Sequence, residues 1–208
     1  MSTTIMNGAS HDTAAELNAT PIPMREGRYV RLRPVSPADY GWLYEVGVQT
    51  DAGTRWRLHG EVPHFDQFIG GLLSNATATF VIEGHDGALL GMTQIWNLEQ
   101  LSRHAQITAF LAPDAQGTGW PMEGVAMCMD YAFRAYDLRK LYLETLDSEL
   151  QEFRSLVGGV LREEGCLRGH RYVYGEYVDL HVLALYREDF DQLMERLSPS
   201  TPSAPTLR

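Results

Sequence analysis

The segment Ala112–Pro121, APDAQGTGWP, has the residue types and spacing most suited to chemistry in this chain. A strand leads into it, a glycine-bearing loop turns tightly, and a helix opens at its proline. Such a loop aims several backbone N–H groups at one point, and the helix N-terminus adds partial positive charge. The arrangement suits a phosphate. Gly117 and Gly119 leave room for the close backbone approach that a side chain would block. No Gly-Lys-Ser/Thr follows, so this is not a Walker loop. Nor does the order of elements supply the βαβ opening of a G-x-G-x-x-G dinucleotide site. Taken alone, the same residues also describe a plain strand-to-helix turn.

The elements that must position this turn follow from periodicity. Arg28–Val35 alternates Tyr29, Arg31 and Arg33 with Val30 and Leu32, a strand. Ser36-Pro37-Ala38-Asp39 reads as a helix cap with proline at the first helical position, opening a helix to about Val48. Asp51–Pro63 reads as a loop carrying Trp56 and His59, and His64–Ser74 as a second helix. Strands are predicted over Thr77–Ile82 and Ala88–Trp96, joined by a turn at Gly84–Gly87, and over His104–Leu111. After the turn, Val125, Cys128, Met129, Ala132 and Phe133 form the apolar stripe of a helix from Pro121 to about Tyr136. Lys140–Leu146 is the next strand. The helical crossover before it predicts pairing parallel to His104–Leu111. A long helix is predicted over Glu152–Glu164, capped at Gly165, followed by a hairpin of Leu167–Tyr174 and Tyr177–Tyr186. The fold class is α+β (mixed α/β): one domain with a central mixed, mostly antiparallel sheet and helices on both faces.

A chain of 208 residues with 44% hydrophobic residues suits one sizeable core. Residues 1–24 and 198–208 are poor in apolar periodicity and rich in small and polar residues, and read as disordered tails flanking a domain over 25–197. No apolar run spans a bilayer, and the N-terminal stretch lacks the basic start and apolar block of a secretory signal. The formal charge of −10 argues against a nucleic-acid partner and is compatible with a cationic ligand, though solubility alone accounts for it as well. Cys128 and Cys166 form neither a disulfide framework nor a local zinc motif. They read as small buried residues in a protein of the reducing cytoplasm. His181, flanked by Leu180 and Val182, reads as a satisfied structural histidine.

The stretch HAQITAFLAPDAQGTG and the C-terminal GCLRGHRYVYGEYVDLHVLALYREDF together resemble the GNAT superfamily of acyl-CoA N-acyltransferases, nearest its RimJ/RimL-like branch. The family pattern Q/R-x-x-G-x-G/A meets Gln116 and Gly119, with Pro121 in place of the last small residue. The resemblance covers about Arg25–Phe190. It implies acetyl-CoA, or another acyl-CoA, as cofactor, and a sheet splayed where that cofactor enters. Backbone groups of the strand Ala109–Leu111, with Phe110, Leu111 and Ala112 foremost, are expected along the pantetheine. The N–H groups of Gln116, Gly117, Thr118, Gly119 and Trp120 are expected on the pyrophosphate, with Ser155 as a further cofactor contact. Trp96 and Asn97 are placed to shape the acceptor pocket. The implied chemistry is direct attack of a neutral amine on the thioester, and needs no metal.

Three residues depart from the family. Gln106 stands where many relatives have a glutamate base, Leu161 where many have a tyrosine that protonates the leaving thiolate, and Pro121 removes one N–H from the turn. Glu144, in the strand lining the splay, and His104, at the start of the strand carrying Gln106, are the replacement bases; each also fits a plain solvent-facing role. The expected function is transfer of an acyl group to a primary amine of a small molecule. Protein N-terminal acetylation and a non-catalytic acyl-CoA-binding module are the alternatives. The expected partner is a small-molecule amine, with no nucleic acid and no membrane, and a homodimer is left open.

Overall fold

The computed structural model describes residues 25–50, 58–153 and 159–197. The tails predicted over 1–24 and 198–208 lie outside them, as do Trp56 and Ser155. Strands β1 (Arg25–Glu26) and β2 (Val30–Pro34) come first, then α1 (Tyr40–Gln49) and α2 (Phe65–Leu73). Next are β3 (Ala76–Gly84), β4 (Leu89–Glu99), β5 (His104–Leu111) and α3 (Trp120–Ala135). The chain continues through β6 (Lys140–Leu146), α4 (Asp147–Phe153), β7 (Leu161–Val173), β8 (Glu176–Tyr186) and α5 (Arg187–Leu197). The strands form one sheet in the order β1-β2-β3-β4-β5-β6-β8-β7. All neighbours are antiparallel except β5 and β6, which the α3 crossover makes parallel.

Alternation along the strands sends two apolar sets to opposite faces. Val30, Leu32, Ile82, Ile107, Leu141, Leu183 and Leu185 pack with Val125, Cys128, Ala132 and Phe133 of α3 and Phe190 of α5. On the other face Met92 and Phe110 pack with Leu43 and Val46 of α1 and with Phe68 and Leu72 of α2. Helix α3 can lie close to the sheet because Gly124 faces Ile82; a Cβ there would sit 2.7 Å from its Cγ2. The entry to α1 is fixed by a buried ionic group. Arg33 bonds both Asp39 oxygens at 2.8 Å and Glu83 at 2.5 Å, while the Ser36 N–H and hydroxyl donate to Asp39. Burial raises the Asp39 carboxyl, but the Arg33 and Ser36 hydrogen bonds outweigh it and hold Asp39 below the usual carboxylate range.

Three C-terminal expectations are corrected. The helix predicted over Glu152–Glu164 is the short α4 over Asp147–Phe153, and β7 has begun by Leu161. Residues 154–158 lie outside the described residues. Gly165 is therefore not a helix cap. It lies within β7, where the register shifts between Glu163 and Gly165. Leu161 is buried, opposite Leu185 in the ladder, a position for packing and not for proton transfer. Helix α5 was not anticipated, although Phe190, Leu193, Met194 and Leu197 repeat at helical spacing.

Candidate active site

The pairing of β5 with β6 covers only three rungs: His104 with Lys140, Ala105 with Leu141, and Gln106 with Tyr142. Beyond Gln106, β5 continues to Leu111 bonded to β4 alone, and β6 continues to Leu146 bonded to β8 alone. The sheet is thus split between Ile107–Leu111 and Leu143–Leu146, and Ala109, in a central strand, is exposed. The Ala112 N–H donates to Leu90 O at 2.9 Å. With the two-residue alternation of an antiparallel ladder, that bond turns the backbone groups of Phe110 toward β4 and those of Ala109 and Leu111 toward the split. Ala109 and Leu111 therefore offer free backbone groups to an extended ligand. The side chain of Phe110 is buried in the α1–α2 cluster, and both backbone groups of Ala112 are used, the second by the Ala115 N–H. Of the predicted Ala109, Phe110, Leu111 and Ala112, Ala109 and Leu111 face the gap.

The glycine turn closes one end of this split. A short 3-10 turn, Pro113–Ala115, leads into it, and α3 begins at Trp120. Gly117 and Gly119 have φ of 75° and 79°, the left-handed region in which a Cβ is strained. A Cβ at either would meet no protein atom within 4 Å, so the space before them is open. Gln116, Gly117, Thr118, Gly119 and Trp120 are all exposed. Among the described residues their N–H groups donate to no carbonyl within the turn. The Thr118 hydroxyl is used internally, donating to Ala115 O at 2.9 Å. Pro121 sits at the second helical position, where no intrahelical N–H bond is lost. The Trp120 ring stacks on Tyr29 at 6.0 Å and 4°, so only its N–H is aimed with the turn.

On the face opposite α3, a chain of side chains crosses the mouth of the split. Asn97 Nδ2 donates to Gln106 Oε1 at 2.8 Å, and Gln106 Nε2 donates to Glu144 Oε1 at 3.2 Å. Glu144 lies two residues beyond Tyr142 of the last β5–β6 rung, exposed at the lip, with Arg171 Nη2 3.8 Å from its other oxygen. Trp96 is the ladder partner of Gln106 and shares its face. The predicted Glu144, Trp96 and Asn97 thus converge on Gln106, which reads as a linker between them. His104 stands two residues back along β5, where the strands are still paired, edge-on to Tyr142 at 5.3 Å. Its Nδ1 is buried with no hydrogen-bond partner among the described residues. It lines a depression of about 620 Å³ that also includes Gln106, Glu99, Tyr142 and Glu164.

Two features here were invisible in local sequence. Glu164 accepts from Lys140 Nζ at 2.7 Å and from the hydroxyls of Tyr142 and Tyr186 at 2.8 and 2.6 Å. Burial raises the Glu164 carboxyl, yet these donors prevail and hold it down at about 2. Cys166 is half-buried, not buried as expected, and lies opposite His181 in the β7–β8 ladder.

Comparison with known proteins places this geometry. A sequence profile described as the acetyltransferase (GNAT) domain matches residues 30–154. The spermidine N(1)-acetyltransferase of Escherichia coli K12 is 24% identical over 183 residues, covering 85% of this chain and 95% of that protein. That of Vibrio cholerae is 26% identical over 106 residues, 51% of this chain and 61% of its own. The crystal structure of the Vibrio cholerae spermidine N-acetyltransferase in complex with CoA and spermine superposes with a TM-score of 0.67. It is 21% identical, covering 77% of this chain and 97% of that one. No helix among the described residues is long and apolar enough to cross a membrane. The split sheet, the glycine turn at its end and the match over residues 30–154 establish that this chain belongs to the acetyltransferase (GNAT) domain family.

Proposed function

We propose that the chain moves the acetyl group of acetyl-CoA to a primary amine of a small polycationic molecule of the polyamine class, in the cytoplasm. The observation that carries this reading is the parting of β5 and β6 after Gln106 and Tyr142, with Glu144 hydrogen-bonded at its lip. The pantetheine lies along Ala109 and Leu111, and the pyrophosphate takes the N–H groups of Gln116–Trp120. The thioester then arrives beside Glu144.

Glu144 accepts a proton from the incoming ammonium. The neutral amine attacks the thioester carbonyl, the C–S bond breaks, and the proton shed by the acylated nitrogen passes to the departing CoA thiolate, which leaves as the thiol. Gln106 cannot take a proton, but its amide hydrogen fixes one oxygen of Glu144 and so orients the carboxylate. The depression beside the lip is lined by Glu99 and Glu164; Glu164 is already paired with Lys140, so Glu99 is the carboxylate that favours the remaining positive charges of a polyamine. His104 lines that depression and serves the acceptor, not the thioester. The charge of −10 supports the same acceptor class.

The test is CoA release from acetyl-CoA with a panel of one monoamine, one diamine, spermidine and a short peptide with a free N-terminus. Spermidine is expected to exceed the monoamine in kcat/KM by about 10-fold or more, the effect of one or two favourable charge contacts at about 1 kcal/mol each. Preference for the peptide would replace this reading by N-terminal acetylation. Binding of acetyl-CoA with no turnover on any amine would leave a binding module.

A further inference from the structure

The β7–β8 ladder brings together three side chains that the acyl-transfer chemistry does not use. Cys166 and His181 are direct cross-strand partners. The register shift between Glu163 and Gly165 keeps Glu163 on the same face as Cys166 while Glu164 points to the other. One ligand atom from each of Glu163, Cys166 and His181 lies within 4.8 Å of the others. His181 Nδ1 is 2.8 Å from Glu163 Oε1, and its Nε2 is 3.3 Å from Asp147 Oδ1 at the start of α4. A neutral imidazole has one N–H and cannot donate to both carboxylates. A cation on Nδ1 resolves that conflict, because Nε2–H then donates to Asp147 as in a carboxylate–histidine–metal arrangement.

We propose that Glu163, Cys166 and His181 Nδ1 bind a divalent cation of the zinc class, with Asp147 orienting the histidine and water in the fourth position. A thiolate, an imidazole and a carboxylate form a ligand set that suits zinc and its cobalt analogue better than magnesium or calcium. Bonds of about 2.0–2.3 Å in a tetrahedron separate ligand atoms by about 3.3–3.7 Å. Pairs now as far as 4.8 Å apart close by up to about 1.5 Å, and Glu163 Oε1, 2.8 Å from Nδ1, opens by about 0.5 Å. The thiolate and the carboxylate balance the charge of the ion. On binding, the Cys166 thiol loses its proton to solvent and its weak 3.8 Å bond to Asp179, whose charge Arg168 and the Gly169 N–H already satisfy. Thr145, the partner of His181 on β6, has a buried hydroxyl with no partner among the described residues, and a metal-bound water gives it one. His181 is buried, its side chain 9% exposed, while Asp147 and Glu163 are open, which gives the ion a route in. The bound ion ties the start of α4 to the β7–β8 hairpin. It takes no part in acyl transfer, so the proposal stands apart from the acceptor assignment.

The experiment is titration of the chelator-treated, tag-free full chain with Co²⁺, followed by competition with Zn²⁺. The expected result is one ion per chain, a thiolate-to-cobalt charge-transfer band in the near ultraviolet, and displacement by zinc. Cys166→Ser should abolish that band and weaken zinc binding by about 100-fold or more, with acetyl-CoA binding retained as evidence of folding. Asp147→Asn, at an exposed site, should weaken zinc binding by about 10-fold while keeping the band. Absence of the band, or zinc affinity unchanged in Cys166→Ser, overturns the proposal.

Discussion

Replacing Gly119 by alanine and by aspartate separates the conformational role of the turn from its role toward the ligand. Gly119 has a φ of 79°, and a Cβ there meets no protein atom within 4 Å. Alanine therefore suffers only the left-handed penalty of about 1–2 kcal/mol. In a chain of this size that lowers Tm by about 2–8 °C. The penalty applies to free and bound protein alike, so it largely cancels from the CoA affinity. Aspartate tolerates this conformation better, but its carboxylate stands in the open space before the turn. At about 5 Å and an effective dielectric of about 20, each charge pair with a pyrophosphate repels by about 3 kcal/mol. The turn is exposed, and salt reduces the repulsion to about 1.5–2 kcal/mol. Calorimetric titration should thus show CoA bound about 10–30-fold more weakly by Gly119→Asp than by Gly119→Ala. Acetyl-pantetheine, which lacks the diphosphate, should show no such gap. Equal CoA affinity in the two variants would refute the placement of the pyrophosphate.

Three further outcomes follow from the same geometry. Glu144→Gln should lower kcat by about 10²–10³-fold with the CoA dissociation constant unchanged, and a loss confined to CoA binding would remove Glu144 from the chemistry. Asp39→Asn leaves the buried Arg33 with one carboxylate fewer and should cost about 3–5 kcal/mol in urea unfolding at neutral pH, far from the active site. Glu164 is held at about 2 in the folded chain, below its unfolded value, so its contribution is complete above pH about 4.5. That contribution is lost as pH falls toward 2. The urea midpoint of Glu164→Gln should therefore change less between pH 5 and pH 3 than that of the wild type (pH values about these).

Where the signals were local, the sequence was easily read. The strands His104–Leu111 and Lys140–Leu146 have the bounds their alternation predicts, and Ser36-Pro37 opens the first helical segment as its cap chemistry requires. The failures come from long-range pairing. A helix is predicted through Glu164, but the pairing of Leu161 with Leu185 and of Glu163 with Leu183 puts that end of it in a strand. Cys166 and His181 are fifteen positions apart in sequence, with no motif between them, and meet because the β7–β8 register makes them partners. Glu164, on β7, likewise gains Lys140 and Tyr142 of β6 and Tyr186 of β8, and no local pattern joins these three strands. At the candidate site, the residue types of the turn and of Glu144 were legible. The phase of the β4–β5 ladder, which turns Phe110 away from the split and Leu111 toward it, was not.

The placement of the donor between β5 and β6 is tested most directly by amide hydrogen exchange with and without acetyl-CoA. Protection should appear at the N–H groups of Ala109, Leu111 and Gly117–Trp120, while Phe110 and Ala112, already bonded toward β4, should change little. Protection confined to other segments, with Gly117–Trp120 exchanging as fast as in the free protein, would contradict the account.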